Sequence, residues 1–126
     1  MTDAISFKDF QKLDIRMGTV VSAEVPKWSH WVVKLTVDLG EEIGQKTIFA
    51  GVLGFYEPKE LEGKQFPFLV NIEPKKIGPE GDFSQGMMLA ASQKLDKPVL
   101  ISDEETKEKP VLLVPWEKVT PGTKIR

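Results

Sequence analysis

No cysteine occurs in the 126 residues, and histidine occurs once, at His30. The first absence excludes disulfides and thiolate chemistry. Together the two leave a zinc site almost without ligands, so neither a metal nor a cofactor is expected. No apolar run approaches the ~18 residues that a bilayer-spanning helix needs, which excludes a membrane role of that kind. The opening "MTDAISFKDF" has acidic residues where a secretory leader is basic and has no apolar core, so a cytoplasmic protein is expected. Positive charge is also scarce: the formal net charge is −2, with 10 Lys and Arg against 13 Asp and Glu in residues 1–92 and 7 against 6 in residues 93–126. Polyanion binding by bulk charge is therefore excluded, and any nucleic-acid contact must come from a local cluster.

What is present is the composition of one globular domain, 40% apolar and 29% charged. At this length folding buries roughly two thirds of the surface that the unfolded chain exposes. Ser6 and Asp9 form a capping-box-like pair ahead of Phe7 and Phe10, which predicts a short helix with one aromatic face. From Leu13 the apolar period changes to two, and Leu13, Ile15, Met17, Thr19, Val21, Ala23 and Val25 are expected to face the core of a long strand. Pro26 breaks that run, and the alternation resumes with Trp31, Val33, Leu35, Val37 and Leu39, giving an antiparallel partner strand. "GEEIG" turns the chain into a third strand, "QKTIFAGV". Pro58 and Gly63 bracket a short helix before a fourth strand at Phe66, Phe68, Val70 and Ile72, in which Pro67 implies a sheet edge or a bulge. "GMMLAAS" is the fifth, and the apolar runs "PVLIS" and "PVLLVPW", separated by the charged turn "DEETKEK", form a β-rich extension.

Short strands separated by Gly/Pro turns, a long first strand with Gly18 inside it and a helix between strands three and four favour an all-β, five-stranded OB barrel over a sandwich. Such barrels bind oligonucleotides on strands two and three and on the loops joining strands one to two and four to five. Those loops are "PKWSH" and "PKKIGPEGDFS".

Catalysis finds little support, because nothing near His30 recruits it as a base and Glu41 and Glu42 read as a solvated turn. His30 itself reads as a surface loop residue or as a nucleic-acid contact. Trp31 continues the core face, whereas Trp28 is either a lid on the barrel end or a platform for a nucleobase, a stack worth ~1–3 kcal/mol. Phe49 reads as core, with base stacking as its alternative. Lys75 and Lys76 lie in a Pro/Gly-rich loop of restricted conformation, which presents two ammonium groups at little ordering cost; plain solubility is the competing reading. Gathered on one side, three phosphate-neutralising cations among Arg16, Lys34, Lys75 and Lys76 give a salt slope near −2.7, or roughly 40-fold weaker binding between about 50 and 200 mM salt. Glu80 and Asp82 add negative charge to the same loop.

The stretches "FKDFQKLDIRMGTVVSAE", "VDLG", "FYEPKELEGK", "VNIEPKKI" and "SQGMMLAAS", over roughly residues 7–92, together with the closing "VTPGTKIR", resemble one family. It is the tRNA-binding domain shared by free-standing structure-specific tRNA-binding proteins, the C-terminal domain of methionyl-tRNA synthetase and CsaA-type export chaperones. The resemblance implies an OB barrel over residues 1–126 with a core at about 7–92, a dimer-forming extension over 93–126 and non-catalytic, shape-based tRNA binding. It places the Asn-x-x-Pro-Lys-Lys motif on Asn71, Pro74, Lys75 and Lys76, the Ser-x-Gly-Met motif on Ser84, Gly86 and Met87, and the Asp-Ile-Arg motif on Arg16. The tRNA-binding set expected from residues and resemblance together is Arg16, Trp28, Lys34, Phe49, Asn71, Lys75, Lys76, Ser84 and Met87. Partners implied are tRNA and an aminoacyl-tRNA synthetase; in the alternative, a chaperone grips unfolded polypeptide through Trp28, Trp31 and Phe49. The initial Met and the lack of a nucleotide-binding motif weigh against a truncated synthetase. A homodimer is expected because Phe7, Phe10 and the apolar tail exceed what one barrel can cover.

Overall fold

The computed structural model describes residues 2–126. Helix α1 (Phe7–Phe10) starts as its sequence requires, with Ser6 Oγ accepting from the Asp9 N–H at 3.1 Å and the two phenylalanine rings stacked at 6.3 Å. Strand β1 (Ile15–Glu24) is the centre of a nearly closed five-stranded barrel, with β2 (Val33–Asp38) on one side and β4 (Gln65–Leu69) on the other. β3 (Gln45–Ala50) follows on β2 and β7 (Met87–Met88) on β4, all antiparallel. The circle closes between β3 and the residues ahead of β7. The Thr47 N–H donates to Gln85 Oε1 at 2.9 Å, and the Gln85 N–H donates to the Thr47 carbonyl at 2.8 Å. This is the expected all-β OB architecture.

The expected inward face of β1 needs correction. A bulge between Val20 and Ser22 changes which side chains face inward, so Gly18 and Val20 point to the core before it and Ala23 after it. Of the expected set Met17 is buried, though outside the main core cluster, while Leu13, Val21 and Val25 are exposed. Gly18 is required by close approach: a Cβ there would overlap the side chains of Val37, Leu39 and Phe68. The β2 expectation holds for Val33, Leu35, Val37 and Leu39, all buried, but fails for Trp31, which is 54% exposed. The cause is local. Ser29 Oγ accepts from the N–H groups of Trp31 and Val32 and donates to the Val32 carbonyl, making a tight turn that ends the alternation before β2 begins.

The "GEEIG" turn is a one-turn helix, α2 (Gly40–Ile43). Helix α3 (Pro58–Leu61) has Pro58 in its first turn, a Glu57/Glu60 capping box and Gly63 at φ 80°, and it drives Leu61 into the barrel floor. Pro67 costs the β1–β4 ladder nothing. Its partner Met17 directs both its N–H and its C=O to the C-terminal tail, at Thr123 and Gly122, so the missing donor falls at a position that makes no bond. β10 (Lys124–Ile125) occupies the edge of β1 that β2 leaves free, pairing with Ile15 and Arg16.

Two segments differ from expectation. The "PKKIGPEGDFS" loop is a hairpin of β5 (Lys75–Ile77) and β6 (Asp82–Ser84). The C-terminal extension carries a long hairpin of β8 (Ala90–Ile101) and β9 (Glu104–Leu112), so residue 92 falls inside a strand. Its turn is Ser102–Asp103, both at positive φ (49° and 69°), the conformation of a two-residue hairpin loop. "DEETKEK" is therefore mostly strand. The arm is pinned back on the barrel at both ends: Ser102 Oγ donates to the His30 carbonyl at 2.8 Å, and the Tyr56 hydroxyl donates to the Pro110 carbonyl at 2.9 Å.

Candidate nucleic-acid interface

Strand register builds the site. Lys34 on β2 stands opposite Phe49 on β3, and the Phe49 N–H donates to Ser84 Oγ at 3.0 Å. Ser84 stands opposite Lys75 in the β5–β6 hairpin, and Phe83 stands opposite Lys76. Phe49 also shares a small cleft of about 190 Å³ with Met87, which is 44% exposed. Lys34, Phe49, Lys75, Ser84 and Met87 are thus linked through β2, β3 and the hairpin, with Trp28 at the edge and Lys76 on the hairpin's outer face.

The two lysines are not presented together as the loop reading expected. Adjacent residues of a strand point to opposite faces, and cross-strand partners share one. Lys75 shares its face with buried Ser84, toward the barrel, and Lys76 shares the outer face with Phe83, which is half-exposed. Phe83 was missed in the sequence because an isolated aromatic in a Gly/Pro loop carries no period; the two-strand pairing around Gly78–Gly81 is what places it beside a cation.

Trp28 is half-buried, and the hairpin rests on it: a Cβ on Gly78, at φ 75°, would overlap the indole ring. Its ring centroid lies 6.0 Å from Phe49 and 6.4 Å from Trp31, the latter edge-on. Its Nε1–H is buried without a partner, at a cost of about 1–3 kcal/mol that the ring packing must offset. Trp28 in this arrangement is a lid held by the hairpin, and Phe49 beneath it is 8% exposed. Lys34 lines a cleft of about 410 Å³ with Lys27, Trp28, Glu24, Glu80 and Asp82. Ion pairs among the described residues are Lys12–Asp9, Arg16–Asp14 and Arg16–Glu42, so Lys34, Lys75 and Lys76 are unpaired despite the nearby carboxylates.

Arg16 and Asn71 stand apart. Arg16 is eight residues along β1 from Glu24, the partner of Lys34, or about 26 Å of strand. Its guanidinium is held by Asp14 at 2.7 Å, by Glu42 at 3.5 Å and by the Gly122 carbonyl at 3.2 Å. The Asp14 hydrogen bond raises its pKa above the ordinary arginine value, in opposition to a smaller effect of burial. Arg16 thereby fastens β1 to α2 and the tail. Asn71 accepts from the Asp14 N–H at 2.9 Å and donates to the Lys12 carbonyl at 2.6 Å, clasping the entry to β1. Ser84 Oγ, besides accepting from Phe49, donates to the Gly86 carbonyl at 2.9 Å. Asn71→Ala is expected to lower stability by about 1–2 kcal/mol, with two hydrogen bonds lost at an exposed site, while leaving the salt slope of tRNA binding unchanged. Paired urea melts and filter-binding isotherms check it; a changed slope with unchanged stability would reverse the assignment.

Among the described residues no group of three or more His, Cys, Asp or Glu is placed to hold a metal ion, and no helix is long and apolar enough to cross a membrane.

Comparison with known proteins agrees with this geometry. The family model described as "Putative tRNA binding domain" matches residues 15–124. Methionine-tRNA ligase of Archaeoglobus fulgidus is 42% identical over 123 residues; the match takes in 98% of this chain and 16% of the ligase. The chain thus spans about one sixth of that relative. The solved structure of chaperone CsaA from Bacillus anthracis is similar at a TM-score of 0.77 and 32% identity, covering 98% of this chain and 100% of that one. A MetRS related protein from Pyrococcus horikoshii gives a TM-score of 0.79 at 30% identity, covering 99% and 100%. With the barrel, the register of the Lys34–Phe49–Ser84 surface and a family match over most of its length, the chain belongs to the tRNA-binding domain family.

Proposed function

We propose that this chain is a non-catalytic, structure-specific tRNA-binding module of the cytoplasm, acting alone or beside an aminoacyl-tRNA synthetase. The observation that carries it is the set of three unpaired lysines, Lys34 on β2 and Lys75 and Lys76 on the two faces of the adjoining β5–β6 hairpin, with the exposed ring of Phe83 beside Lys76. The cations meet phosphates and the ring takes an unstacked base, a combination suited to folded RNA with splayed nucleotides. Met87 supplies an apolar contact for a ribose or base. Lys75 and Lys76 reach different faces of the hairpin, so they engage two backbone segments rather than one. Unfolded polypeptide is the weaker ligand for this face, because Phe49 is buried and Trp28 is half-buried against the Gly78 turn, which leaves Trp31 as the one largely exposed ring of the three.

A gel shift of bulk tRNA across about 50–200 mM salt, with double-stranded DNA as the control, tests the reading. Binding that weakens roughly 40-fold over that range, and is markedly poorer for DNA, is expected. Absence of a tRNA shift at the lowest salt overturns it.

The module acts as a homodimer in this proposal. Trp116 is 99% exposed, with Val114 at 64% and Leu113 at 43%, and Ile5 and Phe7 add a second uncovered apolar set near the N-terminus. Large exposed rings of this kind mark association surfaces. Light scattering is expected to give a dimer at micromolar concentration that Trp116→Glu converts to monomer; a wild-type monomer rejects the idea.

A further inference from the structure

The end of β1, the start of β2 and the turn of the β5–β6 hairpin enclose the cleft of about 410 Å³ that holds Glu24, Lys27, Trp28, Lys34, Glu80 and Asp82. None of its charged groups closes an ion pair. Glu24 stands directly opposite Lys34 in the β1–β2 register, so these two charges partly offset each other at longer range. Asp82 opens β6 opposite Ile77, on the face that Ser84 and Lys75 share two residues further along. Asp82 and Lys34 are half-buried and fixed by strand pairing, whereas Glu80 is exposed in the turn. Among the described residues the carboxylates are not grouped as metal ligands. Trp28 supplies an apolar wall: the Gly78 turn covers part of the indole, and the ring also lines the cleft. A fixed acceptor, a fixed cation and a ring in one cleft are the parts that hold a nucleotide.

We propose that this cleft is a guanosine-selective subsite, which takes one unstacked guanine of a bound RNA by its Watson–Crick edge. The inference rests on the RNA-binding reading above and adds the base that the site selects. Of the four bases only guanine presents two adjacent donors, N1–H and N2–H, with no acceptor between them, and a carboxylate accepts both at once. Adenine and cytosine set a ring acceptor beside the amino group, and uracil flanks its N3–H with two carbonyls. Each of these brings a lone pair against the carboxylate. Asp82 is the acceptor for the guanine edge, with Glu80 beside it in the turn. The base lies against the Trp28 ring, and Lys34 takes the phosphate, as it does in the salt slope. The volume lies within the range of preformed ligand sites. Strand pairing has already fixed Asp82 and Lys34, which lowers the entropic cost of binding. For RNA without such a guanosine the two carboxylates only repel the backbone that the lysines attract, which is how the cleft discriminates.

Fluorescence anisotropy of labelled RNA heptamers at about 50 mM salt tests the proposal, using a uridine heptamer and the same heptamer with guanosine, inosine or adenosine at its centre. The guanosine heptamer is expected to bind roughly tenfold more tightly than the adenosine and uridine heptamers, with inosine, which lacks the N2 amino group, between them. Glu80→Gln/Asp82→Asn is expected to bring the ratio of guanosine to adenosine affinity close to one. The adenosine heptamer then binds the variant as well as the wild type or better, because negative charge near the backbone has been removed. Carboxylates that act by charge alone shift every heptamer alike and leave the ratio at its wild-type value. No guanosine preference in the wild type, or a preference that the double variant keeps, overturns the proposal. Should bulk tRNA still give its salt-dependent gel shift in that case, the tRNA reading stands; should tRNA also fail to shift, both readings fall.

Discussion

Lys75→Ala/Lys76→Ala is expected to reduce the salt slope of tRNA binding from about −2.7 to about −0.9, so that the weakening between about 50 and 200 mM salt falls from roughly 40-fold to roughly fourfold. The arithmetic rests on which cations are free. Arg16 is excluded because its guanidinium is held by Asp14, Glu42 and the Gly122 carbonyl, and Lys34 remains when the hairpin lysines are removed. Both lysines are exposed on a two-stranded hairpin and make no ion pair, so their truncation leaves the barrel intact. Because they occupy opposite faces, the single variants are expected to differ in affinity, with Lys76→Ala also weakening the stacking position at Phe83. Slopes measured by filter binding decide the matter. A double variant that keeps the wild-type slope places the phosphate contacts elsewhere.

Phe68→Ala is expected to remove about 3–5 kcal/mol of stability, a large part of the ~5–15 kcal/mol that holds such a domain folded. Phe68 is fully buried on β4, opposite Arg16 on β1 and Met88 on β7, so its ring faces the middle of the barrel where three strands meet. It also fills the space opened by Gly18, whose absent side chain would otherwise occupy the same volume. Truncation leaves a void that the neighbours cannot close, because β1 is held between β4, β2 and the tail. Denaturant melts with an unchanged m-value measure the loss; a change under about 1 kcal/mol contradicts this account of the core.

The sequence by itself determined the barrel. Alternation in Val33, Leu35, Val37 and Leu39, the Pro58–Gly63 bracket and the Ser6 cap are local signals, read through side-chain period and capping chemistry, and each element formed where its signal stood. The linked motifs also located the family. The tertiary structure decided which motif residues are left free of partners within the fold. The bulge after Val20 changed the facing of β1, the Ser29 turn lifted Trp31 out of the core, and pairing of Lys75–Ile77 with Asp82–Ser84 split the two lysines while setting Phe83 beside one of them. Arg16 and Asn71 carry the same residue types a phosphate or base contact needs, yet partners 26 to 106 positions away and short backbone contacts engage them in the frame. A local pattern records what a side chain can bond. Only the closed barrel, which brings distant backbone within 3 Å of some polar groups and leaves others bare, fixes which of those bonds are already made.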